Sequence, residues 1–231
     1  LDGRPGVSVL LFAMDAEWVD KRLVERVGQC VMTCPTTACF NGLEAEDSVV
    51  VGGKLRYFGD GYQIGKQLQG RRLWRIPVMD GEFLVDDRFG VGPGVGGGNF
   101  LILGRDVRTT AAAAKAATRA IREVPGVILP FPDGVVRSGS KLGSRYAGLI
   151  ASTNDAYCPT LVGFAPETAL PEGVGCVLEV VIDGLDLEAV EEATRRGIKA
   201  AARRGIKRIS AGNYGGKLGK HQIHLHGLFK G

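Results

Sequence analysis

Long apolar runs are missing from this sequence. Its most apolar stretches, residues 7–14 and 124–131, are strand-sized and far below the ~20 residues that a membrane-spanning helix needs. A helical membrane protein is thereby excluded. An excess of one charge is missing too: 29 Lys and Arg stand among 25 Asp and Glu, interspersed, for a net charge of +4. No basic block resembles a nucleic-acid tail, although small basic clusters remain available for an acidic substrate. The opening LDGRPGV has neither the charged region nor the apolar region of a secretory signal, and it does not start with Met. The expectation is a cytoplasmic chain lacking part of its N-terminus. Cysteine is scarce and odd in number, five in 231 residues, in a chain too large to need disulfide staples, which favours free thiols in a reducing compartment. Cys30, Cys34 and Cys39 follow C-x3-C-x4-C, without the C-x2-C step common in zinc and iron–sulfur sites.

What is present is ordinary globular material. A hydrophobic content of 45% suffices for one large α/β domain or two compact lobes. GVSVLLFAM reads as a buried strand, and Asp15 then opens a helical pattern in which Val19, Leu23 and Val27 share a face, ending near Gly28. Residues 54–86 alternate short apolar runs with Gly-Asp-Gly, Gln-Gly and Asp-Gly, the chemistry of hairpins. From Asn99 the pattern changes to strand NFLILG, an Ala-rich helix over about residues 109–124, and strand GVILPF. A second such unit follows: strand CVLEVVID, N-cap Asp186, a helix over 187–204 with Glu191–Arg195 and Glu192–Arg196 pairs, and strand IKRISAG. SVLLFAMDAEWVDKRLVERVGQ and VLEVVIDGLDLEAVEEATRRGIK share a strand, an Asp and a helix in the same order, which suggests internal duplication. The fold class expected is α+β: two ferredoxin-like lobes joined by an antiparallel hairpin section, with residues 1–98 forming the N-terminal lobe and hairpins and 99–231 the C-terminal lobe.

The glycine-rich segments fail as nucleotide sites. GVGPGVGGG contains a formal G-x-G-x-x-G, but a strand follows it where a helix N-terminus should hold the pyrophosphate. GNYGGKLG admits no P-loop. Its Asn213 and Lys217 belong either to a loop whose amides and ammonium grip an anion or to a turn between strands. PFPDGVVRSGSKLGSRY and ASTNDAYCPT are polar loops that place Ser138, Ser140, Lys141, Asn154, Asp155 and Tyr157 at the disposal of a polar ligand, or else only make turns.

Two features could carry chemistry. All three histidines lie in KHQIHLHGLF. On a strand, His224 and His226 would share a face and His221 the other, leaving two imidazoles with no adjacent carboxylate or thiolate. No metal site is expected. Glu179 interrupts CVLEVVI, otherwise apolar enough to be buried on both faces. Either it faces water on an edge strand, or it opens into a cleft where burial favours the neutral acid, able to donate a hydrogen bond.

These segments together resemble the formylmethanofuran–tetrahydromethanopterin formyltransferase family. The stretches are DGRPGV, RVGQCVMTCPT, YFGDGYQ, MDGEF, GGGNFLILG, PFPDGVVRSGSKLGS, ASTNDAYCPT, LEVVIDGL and AGNYGGKLGKHQIHLHGL, running from residue 2 to the end. GGGNFLILGR and VILPFP look closest to the bacterial formyltransferase/hydrolase-complex subunit. The resemblance implies an acyltransferase that moves a formyl group between the amine of methanofuran and N5 of tetrahydromethanopterin in one-carbon metabolism. The two carriers are its only cofactors, with no metal and no nucleotide. It implies that Glu179 is the catalytic carboxyl, acting in protonated form on the formyl oxygen, and that Asn154, Asp155, Tyr157, Ser140, Lys141, Asn213 and Lys217 lie near the carriers. It also implies a homotetramer or a place in a formyltransferase/hydrolase complex, and a first lobe whose initial strand–helix unit lies before residue 2. A metal-dependent formyl hydrolase would need a third ligand beside the histidines. The other alternative is a subunit that binds the carriers without catalysis.

Overall fold

The computed structural model describes residues 3–137, 154–164, 167–212 and 219–230. The architecture is mixed α+β with several sheets, and the chain divides into two compact units, Leu1–Pro93 and Gly94–Gly231. Among the described residues, no helix is long and apolar enough to cross a membrane.

In the first unit, helix α1 (Ala16–Arg26) starts where the Asp15 carboxylate accepts a hydrogen bond from the Trp18 amide at 2.9 Å. Leu23 and Val24 pack against a core that Val27 enters. The helical path does not close at Gly28. It continues through one wide turn, Val27–Val31, in which the Met32 amide donates to the Val27 carbonyl at 2.8 Å. Gly28 is buried there against Leu55, so this glycine reflects close packing and not a helix end. Then follow β1 (Ala38–Cys39), β2 (Asp47–Val50), the single-turn helix α2 (Gly52–Leu55), β3 (Ile64–Leu68), β4 (Arg71–Val78), β5 (Gly81–Asp86) and β6 (Arg88–Val91).

The hairpin chemistry of residues 54–86 is realised in the antiparallel run β3–β4–β5, to which β1 adds in parallel beside β5; β2 and β6 form a separate pair. Gln69 and Gly70, at φ 50° and 77°, supply the consecutive left-handed residues that a two-residue hairpin turn demands. Gly-Asp-Gly at 59–61 makes no hairpin. It ends a short helical turn, Arg56–Gly59, with Asp60 at φ 48°. Cross-strand pairs Trp74–Val85 and Ile76–Phe83 form the centre of this unit's core. Asp86, next on β5, is buried; it accepts from the Asn41 amide at 2.7 Å and pairs with Arg71, while its other carboxylate oxygen is buried without a hydrogen bond. Burial first, and the Asp86 charge second, push the Cys39 thiol up to about 11.

The strand expected in GVSVLLFAM does not form. Residues 7–13 have no regular structure, and Val7 is 91% exposed. A strand exists only through its ladder, and among the described residues this run pairs with no other strand.

The second unit has β7 (Val95–Gly104), α3 (Val107–Ile121), β8 (Val127–Ile128), β9 (Val135–Val136), β10 (Cys176–Gly184), α4 (Leu187–Ala201) and β11 (Ile206–Ser210). Its sheet runs β11-β7-β10-β8, with β9 also on β10, and every neighbouring pair is antiparallel. The strand–helix–strand units β7–α3–β8 and β10–α4–β11 therefore interlock, each leaving a gap that a strand of the other fills. GVILPF was expected to be a full strand, but only two of its residues pair.

Asp106 and Asp186 cap the helices, accepting from the amides of Thr109 at 2.7 Å and Ala189 at 2.8 Å. On α4, Glu192 binds both Arg196 and Arg195, at 2.6 and 2.5 Å. The helices cover one face of the sheet, where Phe100 and Ile102 of β7 and Val180 and Ile182 of β10 meet Ala113, Ala117, Ile121, Val190 and Ala193.

Gly197 of α4 allows this close approach, because a Cβ there would stand 2.8 Å from Ile121 Cδ1 and 3.0 Å from Phe100 Cζ. Alanine in an exposed helix gains ~1 kcal/mol over glycine, whereas overpacking a dense core costs about 1–3 kcal/mol. With Phe100 and Ile121 fully buried, overpacking wins. Gly197→Ala is expected to lower stability by about 1–2 kcal/mol in urea denaturation. At pH 8, iodoacetamide should modify Cys39 much more slowly than the exposed Cys30 and Cys34, as read by peptide mass spectrometry, because Cys39 is partly buried and its raised thiol supplies little of the reactive thiolate.

Candidate active site

Side chains on a strand alternate between faces. Val180 and Ile182 of β10 point into the helix-covered core, so Glu179, Val181 and Asp183 point to the opposite face. Glu179 does not lie on an edge. β10 is an interior strand, and Glu179 is paired with Leu101 of β7 on one side and Val136 of β9 on the other. Leu101 pairs in turn with Ser210 of β11. Ser210, Leu101, Glu179 and Val136 thus form one row across the sheet, with side chains on a common face.

Glu179 is 4% exposed even though it faces away from the helices. Asn99 Nδ2 donates to Glu179 Oε1 at 2.7 Å. Asn99 stands opposite Val181, two residues before Leu101 on β7, which makes it a diagonal cross-strand neighbour of Glu179 on the same face.

The other site residues expected from sequence are distributed as follows. Asn154 is buried, and its carbonyl accepts from the Tyr157 amide at 2.9 Å and from Cys158 Sγ at 3.3 Å. Asp155 opens the short helical turn Asp155–Tyr157 and is half-buried. The Tyr157 hydroxyl and Ser210 Oγ are hydrogen-bonded at 3.2 Å. That bond ties the 154–158 segment to the row containing Glu179, two strands and roughly 10 Å away by the usual strand spacing. Ser138, Ser140, Lys141, Asn213 and Lys217 lie outside the described residues.

Three participants on this face were not anticipated: Asn99, Ser210 and Asp183. Asn99 carried a signal, being the one polar side chain in an apolar strand. Ser210 carried none, since only strand register brings it beside Leu101. Asp183 is half-buried and accepts from the Gly97 amide at 2.8 Å; burial raises its carboxyl above the ordinary range, and the Gly97 hydrogen bond opposes that rise.

The histidines do not lie on a strand. Residues 221–224 are without regular structure, a turn follows in which the Gly227 amide donates to the His224 carbonyl at 2.7 Å, and all three imidazoles are exposed. Among the described residues, no group of three or more His, Cys, Asp or Glu side chains is placed to hold a metal ion.

The family profile described as formylmethanofuran-tetrahydromethanopterin formyltransferase matches residues 1–78, and the profile of that family's proximal lobe matches residues 81–228. The chain belongs to this family. A formylmethanofuran–tetrahydromethanopterin formyltransferase of Methylococcus capsulatus is 55% identical over 228 residues, covering 97% of this chain and 76% of that one. Among solved structures, the formyltransferase from Methanosarcina barkeri aligns with a TM-score of 0.87 at 47% identity, over 92% of this chain and 73% of its own. The formyltransferase/hydrolase complex from Methylorubrum extorquens, solved with methylofuran, aligns with a TM-score of 0.87 at 49% identity, over 94% of this chain and 73% of that one.

Within this formyltransferase family member, Asp183 offers a test of the sheet face. Its proton is held more tightly in the folded than in the unfolded chain, so stability is greatest below the ordinary value of 3.8 and falls as pH rises through the higher folded value. Asp183→Asn removes that loss. Its melting temperature should exceed that of the parent near pH 7, and the gain should shrink toward pH 4.

Proposed function

We infer that this chain catalyses formyl transfer between methanofuran and tetrahydromethanopterin, with Glu179 as the catalytic carboxyl. The observation that carries the reading is a nearly fully buried glutamate, oriented by Asn99, on the helix-free face of the central sheet of a formyltransferase-family chain. In the forward direction, N5 of the pterin attacks the formyl carbon of formylmethanofuran. The carbonyl double bond opens to a tetrahedral centre, the C–N bond to methanofuran then breaks, and the proton that N5 gives up on acylation ends on the departing nitrogen, which leaves as the primary amine. Glu179 in its protonated form passes its proton to the formyl oxygen as negative charge develops there, and recovers that proton when the carbonyl re-forms on collapse. Both carriers must be held in line. Asn154, Asp155 and Tyr157 are the proposed carrier contacts, supported by the Tyr157–Ser210 bond to the row of Glu179, and Ser140, Lys141, Asn213 and Lys217 belong to the same proposal. Methanofuran and tetrahydromethanopterin act as carrier substrates in this reaction. The catalytic reading is preferred over a carrier-binding subunit because relatives about half identical over nearly the whole chain carry the enzyme's name.

The architecture we propose is two ferredoxin-like lobes, 1–98 and 99–231, related by duplication and joined by the hairpin section. The interlocked β11-β7-β10-β8 sheet and the division of the chain between Pro93 and Gly94 support it. For assembly, the Methylorubrum extorquens relative is a subunit of a formyltransferase/hydrolase complex. A place in such a complex, or a homotetramer, is proposed for this chain, in a reducing cytoplasmic setting suited to its five free cysteines.

Glu179→Gln preserves size and both hydrogen-bonding directions but cannot release a proton. In the intact protein it is expected to keep the melting curve and lose at least ~100-fold in kcat, followed by the absorbance change of the pterin. Native turnover would remove Glu179 from the mechanism.

A further inference from the structure

We propose that Asn99 is a positioning residue for the formyl transfer, acting through Glu179; the proposal rests on the catalytic reading of Glu179. Three features converge on it. Asn99 is a polar side chain in a strand that continues as Phe-Leu-Ile-Leu, and the next four residues are all buried. Strand register puts it on the face of Glu179 and diagonal to it, where an Asn side chain reaches and a shorter one does not. Its amide donates to Oε1 at 2.7 Å.

The chemistry of the donor matters. A guanidinium or ammonium in this position would hold the carboxyl in its ionised form, whereas an amide orients it without adding charge. The Nδ2–Oε1 bond restrains the carboxyl plane, and rotation that would exchange the two oxygens breaks that bond. Asn99 thereby helps to set the direction in which the carboxyl meets the formyl group.

The test uses the intact protein and both carriers. Asn99→Leu keeps the volume and removes the donor; kcat is expected to fall about tenfold or more, with KM for each carrier within about twofold of the parent, since the contact is to the acid and not to a carrier. In a Glu179→Gln background, Asn99→Leu should have little further effect, because the two residues act as one unit. Asn99→Asp keeps the shape but replaces the amide with a second carboxyl. It should move the limb of the kcat–pH profile that reports Glu179 upward by on the order of one unit, as paired carboxyls do.

Asn99→Leu with the parent's kcat and pH profile would overturn the proposal, as would a loss of equal size in the Glu179→Gln background, which marks a purely structural role. If Asn99→Leu does not fold, an unchanged pH profile in Asn99→Asp overturns it and a displaced limb supports it. The two readings fail separately. Native turnover in Glu179→Gln removes the catalytic assignment, whereas an inactive Glu179→Gln beside a native Asn99→Leu removes only the role of Asn99.

Discussion

The antiparallel pairing of β10 with β7 is the constraint on which the second unit depends. It runs from Cys176 opposite Gly104 to Ile182 opposite Gly98, and a bulge follows before Gly184. Because side chains alternate along both strands, one register decides two surfaces at once. On one, Phe100, Ile102, Val180 and Ile182 receive α3 and α4. On the other, Asn99, Leu101 and Glu179 converge. A slip of one residue would send the carboxyl into the helix-packed core and bring the core's apolar side chains to the candidate site. The apolar packing under α3 and α4 is therefore also what keeps the carboxyl where it is.

Burial of Glu179 is compatible with folding because its surroundings supply a polar partner. An isolated carboxyl in an apolar setting costs several kcal/mol, and a hydrogen bond from an amide offsets part of that cost. The first unit treats a buried carboxyl differently. Asp86 is held by Arg71 and by the Asn41 amide. Its charge contributes to the raised Cys39 thiol nearby.

The helices were legible because each is specified locally. Asp15 and Asp186 announce the starts of α1 and α4, the Ala-rich run announces α3, though its start was expected at about residue 109 and lies at Val107 behind the Asp106 cap, and apolar residues at helical spacing announce the buried faces. The Gln-Gly turn was legible for a similar reason, since few residues tolerate its backbone angles. Strands were less so. GVSVLLFAM and GVILPF have strand composition, yet the first does not pair and the second pairs over two residues, because a ladder is made by a partner elsewhere in the chain. KHQIHLHGLF misled in the same way. Its alternation suggests a strand, whereas residues 221–224 have no regular structure and a turn follows.

By itself the sequence determined the α+β class, the starts of α1 and α4 and, through its motifs, the formyltransferase family. It also singled out Glu179 as a residue out of keeping with its strand. Whether that residue met water or an interior was decided by tertiary structure alone: β10 lies between β7 and its partners on the other side, so the glutamate is buried. The pairing with Asn99, 80 residues away, and the alignment of Ser210 with Tyr157 were decided the same way. The physical reason is range. Caps and turns are interactions between neighbours in the chain, whereas strand register is a choice among distant partners that only the packed sheet makes.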